Sequence, residues 1–259
     1  MGKAISYTLI YLGIQLLGGG ILSLALLLTG HNEWATSPYA GIVSMIFSSL
    51  IAVIVFLRLG WAKPSRDFLK SRPWAVVFWS VLTALGVVVP SIFLQEHMPE
   101  LPNIVEEQMG QIMSVTGGYF VICLLAPLVE ELVMRGAVLR ALLAWKPGLR
   151  WWMIAISALL FALIHLNPAQ MPHAFLMGLL LGWMYQRTGS IVPGVAFHWA
   201  NNTVAFLLYR LYPDPAIRLV DILGSERLVI FALLYSLLIL LPSLYQLWLR
   251  MEKPGNERI

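Results

Sequence analysis

Residues 115–144 read VTGGYFVICLLAPLVEELVMRGAVLRALLA, an apolar stretch that nevertheless holds Glu130, Glu131 and Arg135. About 20 apolar residues, rising about 1.5 Å each, cross the roughly 30 Å hydrocarbon core of a bilayer. The stretch therefore reads as a transmembrane helix with ionisable groups near its middle. Such groups cost at least about 2.5 kcal/mol in lipid, so they face a bundle interior or a water-filled cavity. Glu131 and Arg135 stand at i,i+4 on one face and can neutralise each other within the helix. Glu130 points about 100° away and must find a different donor, a metal or a proton.

The same ruler, moved outward, marks 4–29, 38–59 and 74–95 before this stretch and 151–166, 173–187, 190–209 and 227–249 after it. The fold expected is all-α: a polytopic membrane protein of about eight transmembrane helices, with a polar catalytic cavity between central helices. Composition agrees, because 59% of residues are hydrophobic and 12% are charged, against about 25% charged in soluble domains. The segments 151–166 and 173–187 are short for full spans, which suits central helices surrounded by protein. The polar connections 60–73, 96–114 and 210–226 are too short for separate domains, so residues 1–259 are read as a single integral membrane domain. The first apolar run continues through Gly18-Gly19-Gly20 to Leu28 without a small-residue cleavage site, as a retained span would.

Cation placement gives orientation. Lys3, the cluster Arg58, Lys63, Arg66, Lys70 and Arg72, then Arg140, Lys146, Arg150 and Arg187, and the tail Arg250, Lys253 and Arg258 all fall on one side if eight spans are drawn. Cytoplasmic loops are enriched in Lys and Arg, so both termini are expected in the cytoplasm. Loop 96–114, on the other side, carries Glu96, Glu100, Glu106 and Glu107 and no cation. Cations dispersed between apolar runs argue against a nucleic-acid partner. The single cysteine, Cys123, excludes an intrachain disulfide framework and a CxxC metal knuckle. Trp61, Trp74, Trp151, Trp152 and Trp248 fall near span ends, where the ring anchors at the headgroup level.

Three further polar positions fall inside apolar segments: His165, and His198 with Asn202 at i,i+4 on one face. His173 is expected at the membrane interface, and His31 and His97 lie in loops. Depth can be counted from the nearest cytoplasmic cation at about 1.5 Å per residue. Glu130 then lies roughly 24 Å in, His165 and Asn202 roughly 22 Å, and His198 roughly 16 Å, so the groups are expected to share one layer. Gly178 and Gly182, four apart, would let a neighbouring helix approach closely.

A carboxylate, two imidazoles and an amide in a secluded cavity supply the needs of amide hydrolysis: a base for water, a proton donor for the leaving amine and donors for the oxyanion. No Gly-x-Ser-x-Gly elbow is present and Cys123 has no histidine at a matching depth, so water is the expected nucleophile. Glu130, His165 and His198 could equally hold a divalent metal such as Zn with an open position. The absence of His-Glu-x-x-His leaves that choice open. Buried carboxylates and histidines also build proton-coupled carriers, although no paired halves with matching broken helices are visible.

Glu130-Glu131-x-x-x-Arg135, Phe161-x-x-x-His165 and His198-x-x-x-Asn202, in that order within apolar helices, resemble the CAAX protease and bacteriocin-processing (CPBP) family of intramembrane metalloproteases, related to the Ras-converting CAAX endopeptidases. The stretch from Gly178 to Ser190 is also similar, and the resemblance covers about residues 115–209. It implies an intramembrane endopeptidase in which Glu130 and His165 activate water, His198 and Asn202 stabilise the oxyanion, and Glu131 with Arg135 support the site. It implies a membrane-associated substrate, either a prenylated CAAX-type protein or a bacteriocin-type peptide, and a prokaryotic cell membrane as location. Zn or another divalent metal is one implied cofactor, and a metal-independent glutamate mechanism is the other arrangement argued for such proteins. A non-catalytic scaffold or immunity protein of the same fold is the alternative, because fold does not establish activity.

Overall fold

The computed structural model describes residues 1–251 apart from positions 36, 64 and 215. The tail cations Lys253 and Arg258 lie outside the described residues. Helices dominate and no strand occurs among the described residues. The principal helices are α1 (Gly2–Leu28), α2 (Pro38–Arg58), α3 (Trp74–Glu96), α4 (Glu106–Ser114), α5 (Thr116–Trp145), α6 (Arg150–Leu163), α7 (Met171–Thr188), α8 (Val192–Leu211) and α9 (Glu226–Arg250). A helix thus lies at each of the eight apolar segments. Four of them, α1, α2, α3 and α9, are long and apolar enough to cross a membrane. A fifth span results if α4 and α5, which meet at a 111° bend, count together. Helix α6 is short, and α7 and α8 carry His173, Arg187, His198, Asn201 and Asn202, which lower their hydropathy. The all-helical membrane class stands, with four to five spans by length and composition.

The described residues fall into two compact units, one within 1–63 and 103–183, the other within 65–102 and 184–251. In the first, α1 and α2 pack at Gly18, where an added Cβ would strike Ser48 Oγ. Helices α6 and α7 meet at Gly178 and Gly182, where a Cβ would come within 2.8 Å of Ala158 Cα and of Ile154 Cγ2 respectively. The close approach expected from the glycine spacing is therefore present. Arg140 ties the end of α5 to the turn after α2 by donating to the Gly60 and Trp61 carbonyls. The Trp61 ring stacks on Tyr7 of α1 at 4.7 Å.

Helix α4 falls in the connection 96–114, where no helix is expected from the sequence. Glu106 and Glu107 sit in its first turn, where negative charge favours the helix dipole, and Ile112 is buried with Ile42 and Val121. So short an apolar pattern does not stand out beside 20-residue spans.

Helix α5 is not uniform. It widens to π turns at Phe120–Leu125 and Met134–Leu139. The first ends just before Pro127, whose missing N–H removes a backbone bond to the preceding turn. At the second, Ser157 Oγ of α6 donates to the Met134 carbonyl at 3.4 Å. Widened turns of this kind occur frequently at functional sites, and the two bracket the segment carrying Glu130 and Glu131.

In the second unit, α3 packs with α8 and α9. Gly86 brings α3 against the Leu240 backbone, 2.8 Å from where a Cβ would stand. Glu96 Oε1 accepts from the Leu219 N–H at 2.6 Å, and Arg187 Nη2 donates to the Trp248 carbonyl at 2.8 Å. In both units buried hydroxyls donate back along their own helices, Thr8 to Ala4, Ser80 to Val76 and Ser243 to Ile239. Internal satisfaction of this kind is what a non-aqueous surround requires. Outward positions such as Leu17, Ile21, Leu238 and Leu241 are exposed and apolar, as a lipid-facing surface needs to be.

Candidate active site

Glu131 and Arg135 form the pair their spacing predicts, Nη1 donating to Oε1 at 2.8 Å, with both side chains shut off from solvent. Arg135 reaches further than its own helix. Its Nη2 donates to the Gly178 carbonyl at 3.4 Å, and its guanidinium lies 4.2 Å from the Phe161 ring centre. Gly178 thus serves twice: it lacks the Cβ that would strike Ala158, and its carbonyl receives the arginine.

The same Phe161 ring holds the histidine. His165 stands edge-on to it at 5.0 Å and 89°, and His165 Nδ1 lies 2.8 Å from the Phe161 carbonyl. A carbonyl can only accept, so Nδ1 carries the proton in this bond, and the neutral ring then presents Nε2 as an acceptor. Phe161 therefore connects the Glu131–Arg135 pair to His165 through its ring and its carbonyl, a link that local spacing does not reveal.

Glu130 and His165 line one cavity of about 140 Å³ in the first unit. Its polar lining is completed by Tyr11 and Gln15 of α1 and Ser49 of α2, with Leu12, Met45, Ala126 and Ile164 as the apolar walls. Tyr11 lies beside Gln15 and near Glu130 in this lining. These three polar residues were not singled out from the sequence. Tyr11 and Gln15 at i,i+4 in an apolar helix are the signal that could have found them.

His198 and Asn202 are placed on α8 of the second unit, His198 buried and Asn202 half-buried. The Asn202 side-chain oxygen accepts from Asn201 Nδ2 at 3.4 Å. His173 is half-buried in the first turn of α7. His31 and His97 are exposed and bound locally, to the Thr29 hydroxyl and the Phe93 carbonyl.

Among the described residues, no three His, Cys, Asp or Glu side chains are grouped so as to hold a metal ion. The cavity offers Glu130 and His165, one donor short of the three protein ligands usual at catalytic zinc. What the cavity residues can do unaided is accept protons, at the Glu130 carboxylate and at His165 Nε2.

The structure thus defines an all-helical protein with four to five candidate membrane spans and, in its first unit, a small cavity lined by a carboxyl group and an imidazole. Residues 113–204 match the family described as Type II CAAX prenyl endopeptidase Rce1-like, in agreement with the resemblance drawn from the motifs of the same segment. The match contains Glu130, His165, His198 and Asn202 but neither α1 nor α2. No curated protein and no solved structure matches the chain.

Proposed function

We propose that the chain is an intramembrane endopeptidase that cleaves a membrane-associated substrate of CAAX or bacteriocin-precursor type with water as nucleophile. The observation that carries this reading is the shared cavity: Glu130 and His165, on separate elements of the first unit, line it together inside the matched segment. Water bound there donates one proton toward the Glu130 carboxylate and the other toward His165 Nε2. Glu130 takes its proton as the oxygen attacks the scissile carbonyl, and the carbonyl becomes a tetrahedral oxyanion. His198 and Asn202 act as the oxyanion donors in this reading. Collapse breaks the C–N bond, and the proton held by Glu130 passes to the leaving amine. Glu131 and Arg135 fix the helix turn from which Glu130 projects. A divalent metal, if bound, would polarise the carbonyl or the water, with Glu130 and His165 as two of its ligands.

In the same reading all eight apolar segments belong to one membrane domain with both termini cytoplasmic, supported by the excess of cations on one side, against Arg210, Arg218 and Arg227 on the other, and by loop 96–114, which has none. The test is cleavage of prenylated and unprenylated CAAX peptides by the reconstituted chain beside Glu130→Gln, His198→Ala and Asn202→Ala, with and without a chelator, read by product mass. Cleavage by the wild type that is lost in Glu130→Gln supports the protease, and the chelator arm reports the metal. Equal cleavage by the wild type and Glu130→Gln rejects the assigned base.

A further inference from the structure

His165 lies beyond the last residue of α6, Leu163, in a turn rather than a helix. Its neighbour Leu166 adopts φ +51°, a region that residues with a side chain rarely occupy. A backbone held this way needs support from outside the turn. Asn167 supplies it. This side chain is fully buried, its Nδ2 donates to Asn103 Oδ1 at 2.8 Å, and its Oδ1 accepts from the Ile104 N–H at 3.1 Å. Its main-chain carbonyl accepts from Gln170 and Met171 at the start of α7. Asn103 is held in turn, its Nδ2 donating to Glu106 Oε2 at 2.9 Å. The connection before α4 is thereby clasped to the histidine turn.

We infer that Asn167 is a positioning residue: clasped by Asn103 and Ile104, it fixes the turn that aims His165 into the cavity with its Nε2 free to accept a proton. The inference rests on the protease reading for its effect on catalysis, but the orientation of His165 can be read without any substrate. The amide meets both partners, its NH2 donating to Asn103 while its oxygen accepts from Ile104. Displacement of a catalytic group by about 1 Å costs on the order of 100-fold in rate, whereas a group that only stabilises the fold leaves the rate per folded molecule intact.

The experiment compares the full-length chain with Asn167→Ala, Asn103→Leu and the double variant Asn103→Asp/Glu106→Gln, the last of which keeps an acceptor for Asn167 and reverses the bond between positions 103 and 106 without setting two carboxylates together. Peptide cleavage gives kcat and KM, and 15N-histidine NMR, assigned with His165→Gln, reports the ring. Expected for Asn167→Ala and Asn103→Leu is a fall in kcat of about 10- to 100-fold with KM unchanged, and His165 resonances that lose the Nδ1-protonated signature. Asn103→Asp/Glu106→Gln should stay near wild type in both. Wild-type kcat and an unaltered His165 signature in Asn167→Ala would overturn the clasp while leaving the protease reading in place. If Asn167→Ala does not fold, the exposed Asn103 pair decides by the same two readouts. If the wild type cleaves none of the peptides, that failure belongs to the protease reading, and the His165 spectra alone decide the clasp.

Discussion

Glu130 and Glu131 are adjacent in sequence and separate in surroundings, Glu130 lining the cavity and Glu131 paired with Arg135. Glu131 is fully buried against Arg135 at 2.8 Å, and Arg135 also contacts the Gly178 carbonyl and the Phe161 ring. Breaking a buried ion pair by removing one partner costs about 3–5 kcal/mol. Arg135→Ala is therefore expected to lower thermal stability as well as activity, and wild-type melting in detergent would contradict the supporting role. Tyr11 tests the reach of the cavity beyond the matched segment. Tyr11→Phe removes the hydroxyl beside Gln15 and near Glu130 while keeping the ring, so activity should fall at nearly unchanged stability. The Glu131–Arg135 contact was legible because i,i+4 pairing is local. Tyr11, Gln15 and Ser49 were not, because their approach to Glu130 depends on how α1 and α2 pack on α5, which no local period encodes.

At the scale of elements, the small-residue spacing of α7 has a direct structural counterpart. A methyl at Gly178 would lie 2.8 Å from the Ala158 Cα, and overpacking of this kind costs about 1–3 kcal/mol. Gly178→Ala should reduce thermal stability, whereas Gly20→Ala, where nothing lies within 4 Å, should not. Equal melting of the two variants would show that α6 and α7 are not closely packed there. The long helices α1, α2, α3 and α9 were readable because an apolar run of that length fits a membrane span and little else. The π turns of α5 were not, since Pro127 signals a disturbed turn without saying whether the helix kinks, breaks or widens. Helix α4 escaped for the opposite reason: it is short and polar, and is held by Ile112 and its acidic first turn rather than by a periodic apolar face.

For the whole molecule, composition and the long apolar helices point to an integral membrane protein, and the orientation proposed from its cations can be tested directly. Single cysteines placed within 60–73 and within 96–114 of a Cys123→Ser background should react with an impermeant thiol reagent from opposite sides of sealed vesicles. Modification of both from the same side would contradict the proposed eight-span topology. Only part of the membrane path follows from length and hydropathy, because α6 is short and α7 and α8 carry polar side chains that sequence rules penalise whether those groups face lipid or protein. The polar groups that weaken the hydropathy signal include His198 and Asn202, the oxyanion donors of the proposed reaction. In a membrane enzyme, a site and a clear transmembrane signal are in competition for the same residues.

The central claim is that Glu130 is the base, and it is tested most directly by purifying the wild type and Glu130→Gln side by side, matching their melting temperatures, and following cleavage of a membrane-associated CAAX-type peptide by product mass. The account predicts the same melting temperature for both and a loss of at least about 100-fold in cleavage rate for the variant. Cleavage by Glu130→Gln at the wild-type rate would contradict it.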